Sequence, residues 1–186
     1  MRVTRDTAAT IHTKDEPWAF FDIKGRRQLH PTRRIAVHVA PDAIVSATKF
    51  IINKVLVPFE CVKEFKVSLS LRSAMERLDT FEIYFDDDKD RSNTTKLIQA
   101  MEGLGNRVEG RPAMLAPEGT GIGAGDEPTK EGVSFSELRS LAIAEVVGDH
   151  LQSALVDFDH FRRRVALAFQ DSGVDFENPS QNIARR

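Results

Sequence analysis

Residues 34–40 read Arg-Ile-Ala-Val-His-Val-Ala, an alternation of period two. It predicts a strand with Ile35, Val37 and Val39 on one face and Arg34, Ala36 and His38 on the other. The pattern recurs over 61–70, where Phe65, Val67 and Leu69 point to a core and Lys66, Ser68 and Ser70 point away. It returns over 80–86, with Phe81, Ile83 and Phe85 inward and Glu82 and Tyr84 outward. Residues 18–23 add a short first strand, stopped at Lys24-Gly25. The spacing changes to three-to-four over 41–55, where Pro41 and Asp42 open a helix and Ile44, Val45, Thr48, Ile51, Ile52 and Val55 form its apolar stripe. A second helix is predicted over 93–104, with Leu97, Ile98 and Met101 inward and Gly105 as its stop.

Ser134-Phe135-Ser136-Glu137 has the form of a capping box and starts a third helix, to about residue 154. Its expected buried stripe is Leu138, Leu141, Ile143 and Val146. A fourth helix over 158–171 buries Phe161, Val165, Leu167 and Phe169 and turns Arg162, Arg163 and Arg164 to solvent. This order predicts an α+β fold: a small, twisted, mainly antiparallel sheet with helices packed on one face and an open polar face. The expected organisation is a flexible arm over 1–16, one domain over 17–176 and a mobile tail over 177–186. Within the domain, 105–132 reads as a long Gly/Pro-rich loop. Its run Gly119-Thr120-Gly121-Ile122-Gly123-Ala124-Gly125 lacks the Gly-Lys-Ser/Thr end of a phosphate-binding loop.

Composition narrows the functional classes. At 186 residues, 41% apolar and 29% charged, the chain has the profile of an ordinary globular protein, and a net charge of −2 gives no general pull toward nucleic acid or membrane. One cysteine, Cys61, excludes an internal disulfide and a cysteine-based metal cluster and suits a reducing bacterial cytoplasm. No apolar run approaches a membrane span and the first residues carry no apolar signal core. The histidines show no metal-ligand spacing, no Gly-x-Ser-x-Gly elbow occurs, and neither a metal nor a cofactor is expected.

The chemistry left is acid–base work on an anion. The three alternating strands offer Arg34 with His38, Lys66 with Ser68, and Glu82 with Tyr84 on one parity. A lysine near other cations serves as a base, a protonated histidine supplies a leaving group with its proton, and arginines hold phosphate in bidentate fashion. Those roles together describe β-elimination of phosphate from a phosphorylated Ser or Thr.

Three segments in order resemble the plant-pathogen type III effector family of Hop proteins, branch A. The first is Phe65-Lys66-Val67 with Arg77-Leu78-Asp79 and Phe81-Glu82-Ile83-Tyr84-Phe85. The second is Gly132-Val133-Ser134-Phe135-Ser136-Glu137-Leu138-Arg139 leading into Leu141-Ala142-Ile143-Ala144-Glu145. The third is Phe169-Gln170-Asp171-Ser172-Gly173-Val174-Asp175 with Asn178-Pro179. Together they cover roughly residues 30–180. Homologues of that family serve as lyases in class V lanthipeptide and thioamide-containing peptide biosynthesis. The strands also look like a compact version of the phosphothreonine lyase effectors.

That resemblance implies His38 as general acid, Lys66 as the base that takes the α-proton, and Arg77 as a phosphate-binding arginine ahead of the Tyr84 strand. It implies Arg139 as a further phosphate contact, while Arg34 fits by parity alone. One departure is Met114, which stands where relatives commonly carry a basic residue. The implied partners are a phosphorylated precursor peptide, a separate Ser/Thr peptide kinase and a cyclase. Two other readings use the same residues: a non-catalytic phosphopeptide- or leader-peptide-binding partner, and a secreted effector acting on host phosphoproteins.

Overall fold

The alternating stretches become strands because each places its aromatic and branched residues against one common core. In the computed structural model, which describes residues 9–13, 18–23, 26, 31–69, 79–107, 115–119, 121–129, 133–152 and 157–183, the chain divides into two compact units, Met1–Ala124 and Gly125–Arg186.

The strands are β1 (Ala9–Thr13), β2 (Trp18–Ile23), β3 (Arg33–Val37), β4 (Val62–Ser68), β5 (Phe81–Phe85), β6 (Ala116–Gly119) and β7 (Ile122–Asp126). They form one sheet in the order β1-β2-β4-β5-β3-β7-β6, and β1–β2, β2–β4, β4–β5, β5–β3 and β6–β7 pair antiparallel. Helix α1 (Ile44–Ile51) continues as a π-helical turn over Ile52–Leu56, and α2 (Ser92–Met101) follows β5.

Phe21, Ile35, Val37, Phe65, Val67, Phe81, Ile83 and Phe85 come from one sheet parity, and Ala47, Ile51, Val55, Leu56, Leu97 and Met101 come from the helices, all in one buried cluster. Phe21 and Phe65 stack with centroids 4.7 Å apart. Burying each such aromatic side chain stabilises by about 1.5–3 kcal/mol. The predicted α+β class with helices on one sheet face is the architecture found.

Several local expectations change. The strand of Lys66 ends at Ser68, so Leu69 lies past the pleat and is exposed. Val45 is exposed too, because the buried side of α1 centres on Ala47 and Ile51. The front of the chain, expected as a loose arm, contributes β1, whose backbone pairs with β2 from Ala9↔Ile23 to Thr13↔Ala19. The 105–132 stretch, expected as a loop, holds the β6–β7 hairpin. Its small residues mask the period-two signal, because glycine offers no side chain to alternate. Gly123 is required by close approach: a Cβ there would lie 2.7 Å from Leu115 Cβ.

In the second unit the capping box forms as expected: Glu137 N–H donates to Ser134 Oγ at 3.2 Å, and Ser134 N–H to Glu137 Oε2 at 3.4 Å. It opens α3 (Phe135–Gln152), and Asp157 caps α4 (Phe158–Asp171) by accepting from the amides of Asp159 and His160. Ala142, Val146, Val165, Phe169 and Val174 pack together with Leu138, Ile143 and Phe161 around them, while Leu141 and Leu167 face out.

Gly173, at φ 73°, ends α4 in a Schellman turn, with Val174 N–H donating to Phe169 O and Gly173 N–H to Gln170 O. The chain then folds back: Val174 bridges Asn182, Asp126 N–H donates to Ser180 O, and Asn182 Nδ2 donates to Glu127 O at 2.7 Å. The stretch through Ile183, expected as a mobile tail, makes backbone hydrogen bonds from Gln181 N–H to Asn178 O and from Ile183 N–H to Gly173 O.

Candidate active site

The sheet register places the polar parity of four strands in three rows. Trp18 pairs with Ser68, whose N–H donates to Thr80 O, and Thr80 meets His38. Phe20, Lys66, Glu82 and Ala36 form the next row, and Asp22, Glu64, Tyr84 and Arg34 the third. Four of the residues singled out by alternation, Arg34, His38, Lys66 and Tyr84, thus share one face of the sheet. The face is more shielded than a bare solvated surface: Arg34, His38, Glu82, Trp18 and Asp22 are all buried, and Lys66 and Tyr84 are half-buried.

Glu82 is the centre of the second row, and its role was not assigned from the sequence. Its Oε2 accepts from Arg34 Nη1 at 2.6 Å, from the Tyr84 hydroxyl at 2.5 Å and from Lys66 Nζ at 3.1 Å. Lys66 Nζ also lies 4.5 Å from the Trp18 ring centroid and 5.6 Å from that of Tyr84, and Arg34 sits 5.1 Å from the Tyr84 ring. Burial pushes the Glu82 carboxyl up. The charges of Arg34 and Lys66, with hydrogen bonds from Tyr84 and Lys66, more than reverse that and leave it below the ordinary glutamate range.

His38 is oriented by a hydroxyl. Its Nδ1 lies 3.1 Å from Thr80 Oγ1, which also accepts from Val39 N–H at 3.3 Å and donates to Val39 O at 3.4 Å. When the Thr80 proton lies on Val39 O, His38 Nδ1 is the donor in its pair and Nε2 is the ring nitrogen this contact leaves open. Thr80 was read from sequence only as the start of a strand. The alternation pointed to the face but could not reveal which residues become neighbours across strands.

Arg77 lies outside the described residues. Arg139 belongs to the second unit, where it is fully buried; its Nε donates to Pro179 O at 2.5 Å, its Nη1 to Phe135 O at 3.2 Å, and its guanidinium stacks 3.6 Å from the Phe135 ring centroid. The Arg162–Arg164 triplet faces out as expected, with Arg162 pairing Glu177 and Arg164 pairing Asp149. Among the described residues no group of three or more His, Cys, Asp or Glu could hold a metal ion, and no helix is long and apolar enough to cross a membrane.

An antiparallel sheet backed by helices is a fold shared with bacterial effector proteins. The chain belongs to the HopA1 effector protein family, whose model matches residues 14–181. It is similar in structure to the effector protein from Pseudomonas syringae pv. syringae strain 61, with a TM-score of 0.66 and 18% identity over 89% of this chain and 62% of that one. It is similar also to the effector from Pseudomonas syringae pv. tomato strain DC3000, with a TM-score of 0.64 and 17% identity over 97% of this chain and 65% of that one. The chain therefore spans under two thirds of the length of these two effectors. The Chromobacterium violaceum VirA (SpvC) phosphothreonine lyase effector protein matches with a TM-score of 0.51 and 12% identity, over 67% of this chain and 69% of that one. At these identities the likeness establishes the fold. A search of the curated proteins found no match.

Proposed function

We propose that this chain is a phosphoserine/phosphothreonine lyase that eliminates phosphate from a phosphorylated ribosomal precursor peptide, leaving dehydroalanine or dehydrobutyrine. The observation that carries the reading is the common face of Lys66, Arg34, Tyr84 and His38 in a fold shared with a phosphothreonine lyase effector. In this reading the Lys66 amine takes the proton from Cα, the electron pair forms the Cα=Cβ bond, and the Cβ–O bond breaks. His38 gives its proton to the departing phosphate through Nε2, held in that role by Thr80. Arg34 and Tyr84 bind the phosphoryl oxygens, with Arg77 as a further contact. A separate kinase supplies the phosphopeptide, and a cyclase uses the alkene product. We place Arg139 outside the phosphate contacts, because its guanidinium is enclosed and committed to two backbone carbonyls.

The test is incubation with phosphorylated precursor peptide, read by mass spectrometry for loss of phosphoric acid. Turnover by the wild type that persists in both Lys66→Ala and His38→Ala sinks the residue assignment. One observation favours a second reading, a phosphopeptide-binding partner without turnover: Lys66 is ion-paired with Glu82 at 3.1 Å, and an ammonium is no base. Retention of phosphopeptide with no change in its mass, even beside the cognate kinase, selects that reading.

A further inference from the structure

The unexplained feature of the face is Glu82, a buried carboxylate of which one oxygen receives three donors. An arginine, a lysine and a phenol converging on one point are the donor set suited to a phosphoryl oxygen. Two buried or half-buried cations, Arg34 and Lys66, need an anion beside them while the site waits for substrate, since an uncompensated buried charge is costly. Glu82 contacts both. A phosphate monoester carries about −1.5 to −2 charge and three acceptor oxygens, so it competes for the same donors.

We propose that Glu82 is a positioning residue that occupies the phosphate site at rest, and that substrate phosphate displaces it from Arg34 and Tyr84 and thereby arms Lys66. The inference rests on the lyase reading for the identity of the base. Once Arg34 and Tyr84 turn to the phosphate, the Glu82 carboxylate loses two of the three donors that stabilise its charged form. It then takes up the proton of its remaining partner. The Nζ–H bond of Lys66 breaks, an O–H bond forms on Glu82, and the lone pair left on Nζ is available for the α-proton. No group outside the site is needed for this transfer, because the two atoms are already 3.1 Å apart. Among the described residues, the charged and titratable groups around Glu82 are Lys66 and Glu64 on β4, Arg34 and His38 from the β3 segment, Tyr84 on its own strand, and Asp22 in the adjoining row.

The experiment measures binding of inorganic phosphate, by calorimetry and by fluorescence of Trp18, the chain's one tryptophan, which lies against Lys66. Glu82→Gln keeps the shape and removes the charge. It is expected to bind phosphate about tenfold more tightly, the scale of a relieved like-charge contact. With phosphopeptide it is expected to show a lower KM and a kcat reduced by about 100-fold, the low end of acid–base contributions. Glu82→Asp, which keeps the charge, is expected to bind phosphate as the wild type does. Unchanged or weaker phosphate binding by a folded Glu82→Gln overturns the proposal, as does a wild type that binds no phosphate.

Should Glu82→Gln fail to fold, a crystal structure of the wild type with phosphate decides. Arg34 and Tyr84 on the phosphate support the inference, and a bound phosphate with the Arg34–Glu82 contact intact overturns it. The two readings fail separately. Turnover with unaltered phosphate affinity in Glu82→Gln removes this inference and keeps the lyase. Tighter phosphate binding by Glu82→Gln without wild-type turnover removes the lyase and the arming step, and keeps Glu82 as the resting occupant.

Discussion

Arg34 and Arg139 are both buried arginines, and the two units of the chain accommodate them in different ways. In the first unit Arg34 meets a carboxylate that also holds Lys66 and Tyr84, the group that substrate phosphate displaces in the proposed site. In the second unit Arg139 meets neutral carbonyls of Pro179 and Phe135 and an aromatic face, contacts that tie the start of α3 to the returning tail. Burial is common to both arginines, and the carboxylate beside Arg34 is the contact on which the proposed phosphate site rests.

The largest effects are expected where the contrast touches chemistry. Lys66→Ala is expected to lower the elimination rate by about 10³-fold or more and His38→Asn by about 100-fold, within the range of general acid–base groups. Mass-spectrometric rates on phosphopeptide check both, with circular dichroism to confirm the fold. Thr80→Val is expected to resemble His38→Asn in direction, and Thr80→Ser to restore the rate, because only the hydroxyl orients the imidazole.

Next comes the pair that tests the comparison itself. Arg139→Met is expected to cost about 3 kcal/mol in denaturant unfolding, since it removes charge-assisted hydrogen bonds from the carbonyls of buried Phe135 and half-buried Pro179, and to leave phosphate affinity unchanged. Arg34→Met is expected to weaken phosphate binding about tenfold or more, one lost charge-assisted contact. A loss of phosphate binding in folded Arg139→Met erases the distinction drawn between the two arginines.

The legibility of each region follows from the same physics. Ile35/Val37, Phe65/Val67 and Phe81/Ile83/Phe85 are large, alternate strictly and are bounded by polar residues, so both faces of the central strands were readable. The β6–β7 hairpin was not, because Gly119, Gly121, Gly123 and Gly125 carry no side-chain pattern. Val45, Leu141 and Leu167 satisfy a helical stripe on paper yet lie on its margin, where a slightly different rotation exposes them. For the candidate site, parity put Arg34, His38, Lys66 and Tyr84 on one face of the sheet. The gathering of three of them on Glu82, and the hydroxyl of Thr80 behind His38, depend on β5 lying between β4 and β3, which alternation does not encode.

A smaller effect sharpens the sheet side of the comparison. Gly123→Ala is expected to destabilise by about 1–3 kcal/mol, the usual range for overpacking, because its Cβ would meet Leu115 Cβ at 2.7 Å. Thermal unfolding checks it.

The smallest effect belongs to the helical unit and depends on pH. The amide of His160 holds the Asp157 carboxyl below its ordinary range, against a partial loss of solvation and with help from the amide of Asp159 and the charge of Arg163. A carboxyl depressed by folding adds stability that is fully present above its unfolded value, about 3.9, and is lost as pH falls through the folded value. Asp157→Ala is therefore expected to lower stability at pH 7, and the gap between variant and wild type is expected to close as the pH drops below that window. Asp157→Asn keeps a capping oxygen and should show a stability nearly independent of this titration. Amide hydrogen exchange of the first turn of α4 in the three proteins reads the difference, and a gap that persists unchanged in acid excludes the cap as its source.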